Sequence, residues 1–208
     1  MRPDGKLPLL RSAFTMLAGQ LRADDRIAIV TYAGGAGVVL EPTAGGDTAA
    51  IRAAIDDLRA GGSTAGAAGL ETAYDLAEEN FDPERINRVM IATDGNFNVG
   101  TSSLDGIEAL ITAKRETGVY LSVLGVGRTG YNDAIAQRLA QNGNGTAWFL
   151  DDIAEARRVL VEDLGSVVTP IADDVKAQVE FNPARVAEYR LLGYETRALA
   201  REDFNDDT

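Results

Sequence analysis

Apolar positions along this chain recur at two alternating periods. Leu7, Leu10, Phe14, Leu17 and Leu21 fall at helical spacing, which predicts a helix from Lys6 to Arg22. Arg26 to Tyr32 is a short, β-branched apolar run and reads as a buried strand. Gly34 to Gly37 predicts a turn, with Val38 to Leu40 as the return strand of a hairpin ended by Pro42. Asp47 or Thr48 caps a helix through Leu58, and a glycine turn at Gly61-Gly62 precedes a helix from about Ala65 to Asn80. Strands follow at Ile86 to Thr93, Val119 to Val126 and Thr146 to Leu150. Between and after them lie helices at Leu104 to Thr117, Tyr131 to Gln141 and Asp151 to Leu164.

Strands alternating with helices of this length imply an α/β fold: a mostly parallel, Rossmann-like sheet with helices on both faces. The pattern changes after Leu164. Val175, Ala177, Val179 and Phe181 alternate with Lys176, Gln178 and Glu180, the period of a half-exposed strand. Asn182-Pro183 makes a turn, and Val186 to Tyr194 suits a second strand. The expected division is a main α/β domain over 1–169. Residues 170–208 then form either the start of a β-rich neighbour or a hairpin on the main domain.

Composition narrows the chemistry. The 208 residues are 45% hydrophobic, and no apolar run approaches the roughly 18–20 residues of a membrane helix. A net charge of −12 with no local basic run repels a phosphate backbone, so nucleic acid is not an expected partner. With neither cysteine nor histidine, thiol chemistry, disulfides, Cys/His zinc sites and His-based triads are excluded. Oxygen-ligand metals and carboxylate chemistry remain. No arrangement of residues makes a nucleophile with its base, so the chain is not read as an enzyme.

Two stretches carry chemistry. Val89-Met90-Ile91-Ala92-Thr93-Asp94-Gly95-Asn96 is a buried strand ending in an acid and a glycine. Gly61-Gly62-Ser63-Thr64-Ala65-Gly66 is a tight turn presenting a hydroxyl just before a helix. Both place oxygens where the loops of an α/β sheet gather, a setting that suits a hard divalent cation. The plain alternative is that Thr64 caps its helix and Asp94 its turn. Gly125-Val126-Gly127-Arg128-Thr129-Gly130 also fits G-x-G-x-x-G after a strand, with Asp151 and Asp152 about twenty residues on. That opens an alternative class, an NAD(P)-type nucleotide-binding enzyme. The motif lies late in the chain with no substrate domain behind it, so the reading adopted is a glycine loop at a strand end.

The stretches LPLLRSAFTMLAGQLRADDRIAIVTYAG, LRAGGSTAGAAGLETAYDLAEENF, INRVMIATDGNFNVG and NPARVAEYRLLGYETRALAREDFN, in this order, resemble the von Willebrand factor type A (VWA) family. The resemblance is to the bacterial branch described as similar to calcium-activated chloride channel proteins. It implies metal-ion-dependent protein recognition at a rim where three loops meet. Thr64 matches the threonine of the second loop, and Asp94 the aspartate of the third. The ion it implies is Mg²⁺, or Mn²⁺ or Ca²⁺, with one position filled by an acidic side chain of a protein partner. Gly62, Ser63, Asn96 and Asn98 would line the same rim against that partner.

The family's first loop, a D-x-S-x-S motif closing the central strand, is absent from this sequence. Met1 to Leu7 resembles the residues that follow that motif, so the chain is expected to be a stretch of a longer protein. The metal site is expected to be incomplete here, with weak or no binding. The missing strand leaves two sheet edges unpaired, which points to a homo-oligomer or an assembly module as the further alternative. Envelope association of family members implies an extracytoplasmic setting for the parent protein.

Overall fold

A computed structural model describes residues 5–32, 36–60, 66–94, 103–127, 132–163 and 178–190. The chain divides into two compact units, Met1–Thr169 and Pro170–Thr208. In the first unit the order is α1 (Lys6–Ala18), β1 (Arg26–Thr31), β2 (Gly37–Ala44), α2 (Thr48–Asp57), α3 (Gly66–Glu79) and β3 (Asn87–Thr93). Then come α4 (Leu104–Glu116), β4 (Val119–Val126), α5 (Asp133–Asn142), β5 (Ala147–Leu150) and α6 (Ile153–Arg157), which passes into a π-helical turn at Arg158–Glu162. Side-chain caps start four of these helices: Asp47, Ser103, Asn132 and Asp152 each accept a hydrogen bond from a first-turn backbone N–H.

The described strands form two sheets. β1 and β2 pair antiparallel, whereas β3, β4 and β5 run parallel in that order. Among the described residues, no strand pairs with β1 on the side away from β2, nor with β3 on the side away from β4. β4 is therefore the central strand, and its residues are buried on both faces. β1 was expected to be buried, but Arg26 and Ala28 are exposed and Ile27 and Ile29 to Thr31 are half-buried. The return strand is longer than its three-residue expectation and runs through Pro42. A proline is tolerated there because β2 is an edge strand and the register shifts between Thr43 and Leu40.

Helices cover both faces. On one, Leu70 and Tyr74 of α3, Ile107 and Ile111 of α4, and Leu139 of α5 pack on Val89, Ile91, Leu121 and Val123. On the other, Ala13 and Leu17 of α1 join Ala156, Val159 and Leu160 against Leu124 and Leu150, with Met90, Ala92 and Trp148 at the margin. A third cluster sets Ala18, Ile51 and Ile55 against Ile27, Ile29 and Leu40. Phe14 packs against both of the last two clusters. α1 thus spans the two sheets on one face, and α3, which touches β1, β2 and β3, spans them on the other.

In the second unit, residues 178–190 hold no strand. The strand expected at 175–181 is not formed over its described part, and neither is the one expected from Val186 as far as residue 190. The remainder of both lies outside the described residues. A lone strand without a pairing edge is not stable in water, and none of residues 178–190 supplies one. Instead Asn182 organises a turn, accepting from the Ala184 N–H on its side chain and from the Arg185 and Val186 N–H groups on its carbonyl. Phe181 and Tyr189 stack with ring centroids 4.4 Å apart.

Ile111 is fully buried beneath the parallel sheet. Ile111→Ala is expected to lower stability by about 2–5 kcal/mol, and Ile111→Val by about 1 kcal/mol. Urea denaturation checks this, with the midpoint falling and the slope unchanged.

Candidate functional site at the carboxyl end of the parallel sheet

β3 ends at Thr93, which is buried, and Asp94 follows it half-buried at the carboxyl rim. Two side chains from distant elements converge there. Tyr32, the residue after β1, donates its hydroxyl to the main-chain carbonyl of Ala92 at 2.5 Å. Lys6, opening α1, donates its ammonium to the main-chain carbonyl of Asp94 at 2.9 Å. Burial pushes the Tyr32 phenol up to about 12. A hydrogen bond with Thr93 works against that shift, while the nearby Asp94 carboxylate adds to it. The rim therefore gathers an ammonium, a phenol held neutral, a threonine hydroxyl and a carboxylate.

Glycines make this approach possible. A Cβ on Gly69 of α3 would lie 2.4 Å from the Cβ of Tyr32, so the tyrosine fits only because that helix position is bare. Gly127, just past β4, has φ +118°, and a Cβ there would meet the Lys6 Cε at 2.5 Å. The Lys6 stem thus lies on the glycine loop that the sequence pattern offered as a nucleotide site. Residues 128–130 of the motif lie outside the described residues. Asp152, the other half of that pattern, caps α6 by accepting from the Ala154 and Glu155 N–H groups at 2.8 and 2.9 Å.

Of the expected rim residues, Asp94 stands where the strand pattern put it. Thr64, Gly62, Ser63, Asn96 and Asn98 lie outside the described residues. Among the described residues, no group of three or more His, Cys, Asp or Glu side chains could hold a metal ion. One carboxylate does not fit a divalent cation that needs about six oxygens in near-octahedral array. The described donor set therefore does not hold such an ion by itself. Lys6 and Tyr32 were not singled out from the sequence. The one available signal was their placement, each at the boundary of an element that opens on the rim.

Other acidic pairs have structural work. Asp25 accepts from the Arg22 backbone N–H and guanidinium at 2.7 and 3.0 Å, and Arg85 reaches Asp24 at 3.2 Å. Lys114 bonds Glu78, and its ammonium together with the Thr117 hydroxyl holds that carboxyl below its ordinary range.

Residues 1–96 match the family model described as von Willebrand factor type A domain, and the first unit has that fold. The chain contains a VWA domain. Residues 166–208 match a second family, described as "Uncharacterized protein YfbK, C-terminal". The VWA-containing chain is 48% identical over 207 residues to YfbK of Escherichia coli K12, covering 100% of this chain and 36% of that protein. It thus spans about a third of that relative's length. Among solved structures, a von Willebrand factor type A protein from Catenulispora acidiphila superposes with a TM-score of 0.65 at 20% identity, over 77% of this chain and 38% of that one. Proximal thread matrix protein 1 from the mussel byssus, solved with a zinc-occupied MIDAS motif, gives 0.57 at 16% identity, over 80% of this chain and 43% of that one. These two similarities establish the VWA fold alone.

The Tyr32 phenol gives the rim a pH signature. An unfolded tyrosine ionises near pH 10, and the folded one holds its proton to about 12. The unfolded state therefore loses its proton first, and this contribution to stability is present below about pH 10 and lost as pH rises to about 12. Tyr32→Phe is expected to show a shallower loss of stability across that window, measured by urea denaturation of both proteins.

Proposed function

We infer that this chain is a non-enzymatic protein-recognition module and that its partner docks on the rim around Asp94. The observation that carries this reading is the half-buried Asp94 at the carboxyl end of β3, in a chain with the VWA fold. In an α/β sheet, that end is where loops converge and ligands bind. The ion-dependent form of recognition draws on Asp94 and Thr64 from this chain and needs further oxygen ligands beyond the described residues. Gly62, Ser63, Asn96 and Asn98 belong to the surface offered to the partner, and the favoured contact on the partner is an acidic side chain.

A second reading has one specific observation behind it. The unpaired edges of β1 and β3 among the described residues suit a metal-independent assembly module that pairs its backbone with another segment. The two readings separate in one experiment on the parent protein. With partner capture from solution, the rim reading expects Asp94→Ala and EDTA each to reduce binding at least tenfold. Binding unchanged by both removes the ion from the account and leaves the edge-pairing reading. For the chain itself, calorimetry with MgCl₂ is expected to show no tight one-to-one site.

A further inference from the structure

The chain leaves α5 for β5 through Asn142-Gly143-Asn144-Gly145, two Asn-Gly pairs in succession. Such a pair is chemically fragile, because no side chain shields the glycine nitrogen from the preceding side-chain amide. The fold nevertheless calls for both residue types. Asn144 has φ +49°, the one non-glycine residue in the left-handed region among the described residues, and asparagine tolerates that region well. A Cβ on Gly145 would lie 1.7 Å from the Leu121 carbonyl oxygen, and one on Gly143 would lie 2.4 Å from the Leu121 Cβ. Neither glycine has room for a side chain. The turn is tied on two sides. The Gly145 N–H donates to the Ala140 carbonyl at 2.8 Å, and the Gly143 N–H to the Leu139 and Ala140 carbonyls at 3.2 and 3.1 Å. From β4, the Leu121 N–H donates to the Gly143 carbonyl at 2.9 Å and the Val123 N–H to the Thr146 carbonyl at 3.0 Å. Asn144 itself is exposed, whereas Gly143 is buried.

We propose that Asn144 is a deamidation site gated by this turn: it is held unreactive while the Gly145 N–H is bonded to Ala140, and it converts when the end of α5 opens. In the reaction the Gly145 nitrogen bonds to the Asn144 Cγ, the bond from Cγ to the side-chain nitrogen breaks, and ammonia leaves with the proton that Gly145 gives up. Water then opens the cyclic imide at either carbonyl, which yields aspartate or isoaspartate at position 144. The folded turn opposes the first step in two ways. The Ala140 carbonyl holds the Gly145 proton, and the packing of Gly145 on Leu121 leaves no space for the ring. Isoaspartate adds one carbon to the main chain between residues 144 and 145. The clearance to β4 is already too small for a methyl group, so the isoaspartyl turn does not return to its place and conversion is one-way. Asn142 is set apart from Asn144 because its following nitrogen belongs to the buried Gly143 at the end of the helix. This site is separate from the rim at Asp94 and does not depend on how that rim is read.

The test follows the whole chain in mildly alkaline buffer, folded and in guanidinium chloride. Peptide mapping by mass spectrometry reads the change from amide to acid at each asparagine, and enzymatic methylation reads isoaspartate. The folded chain is expected to convert at Asn144 about tenfold more slowly than the denatured chain, or slower still, the scale set by one intact hydrogen bond. That slowing is expected to match the protection of the Gly145 amide in hydrogen exchange followed by NMR, because one opening exposes both. Asn144→Gly keeps the left-handed turn and is expected to abolish conversion at this position. Asn144→Asp carries the new charge without the added carbon and is expected to leave the Leu121 and Val123 amides protected, whereas the isoaspartyl chain loses that protection. Equal rates in the folded and denatured chains overturn the proposal, as does slowing without protection at Gly145. Conversion at Asn142 ahead of Asn144 overturns the choice of site. An isoaspartyl chain with native protection at Leu121 and Val123 overturns the one-way step.

Discussion

The packing of helices across two sheets is the interaction on which the described part of this unit depends. Backbone N–H and C=O groups removed from water must be bonded, and a parallel sheet normally meets that need by placing strands side by side. Here β1 and β3 each meet it on one side only among the described residues. Among the described residues the two sheets share no ladder, and helices are laid across both. α1 bridges them on one face through Phe14, and α3 on the other through its contacts with both sheets. The Tyr32 hydroxyl, from the residue after β1, adds a polar tie to β3. Apolar packing is non-directional, so it can keep the sheets together. It cannot set the position of a strand end as a hydrogen bond does.

That distinction bears on function. Recognition by a rim of loops requires its side chains to be held before the partner arrives, since every ordering cost is otherwise charged against binding. The segment ending in Asp94 is anchored through its main-chain carbonyls by Lys6 and Tyr32. The same Lys6 stem lies beside Gly127.

The acidic clusters show how the same residue types end in different roles. Asp24, Asp25 and Glu78 look no different from Asp94 in a list of carboxylates. Each is nevertheless engaged by Arg85, Arg22 or Lys114 at the helix-to-strand end of the unit. Exposed pairs of this kind contribute little to stability.

Much of this was legible from local pattern. Helical spacing of apolar residues placed the helices, and short apolar, β-branched runs placed the five strands, among the described residues of the first unit. The cap residues Asp47 and Asp152 announced two helix starts for an equally local reason. Asp94 was visible as an acid that abruptly ends an apolar strand. The exposure of β1, the longer β2 carrying Pro42 and the missing strands at 178–181 and 186–190 were not visible. Each depends on whether a neighbour is present, and a strand's own residues do not encode its partner. Lys6 and Tyr32 were equally silent, for the bonds they make span 88 and 60 residues of chain. The sequence by itself determined which segments become helices and strands and which acid closes the third strand, since those follow from neighbours within a few residues. Only the tertiary structure decided which edges stay open and which side chains reach across to steady the rim, because those are contacts between segments that meet nowhere but in the folded chain.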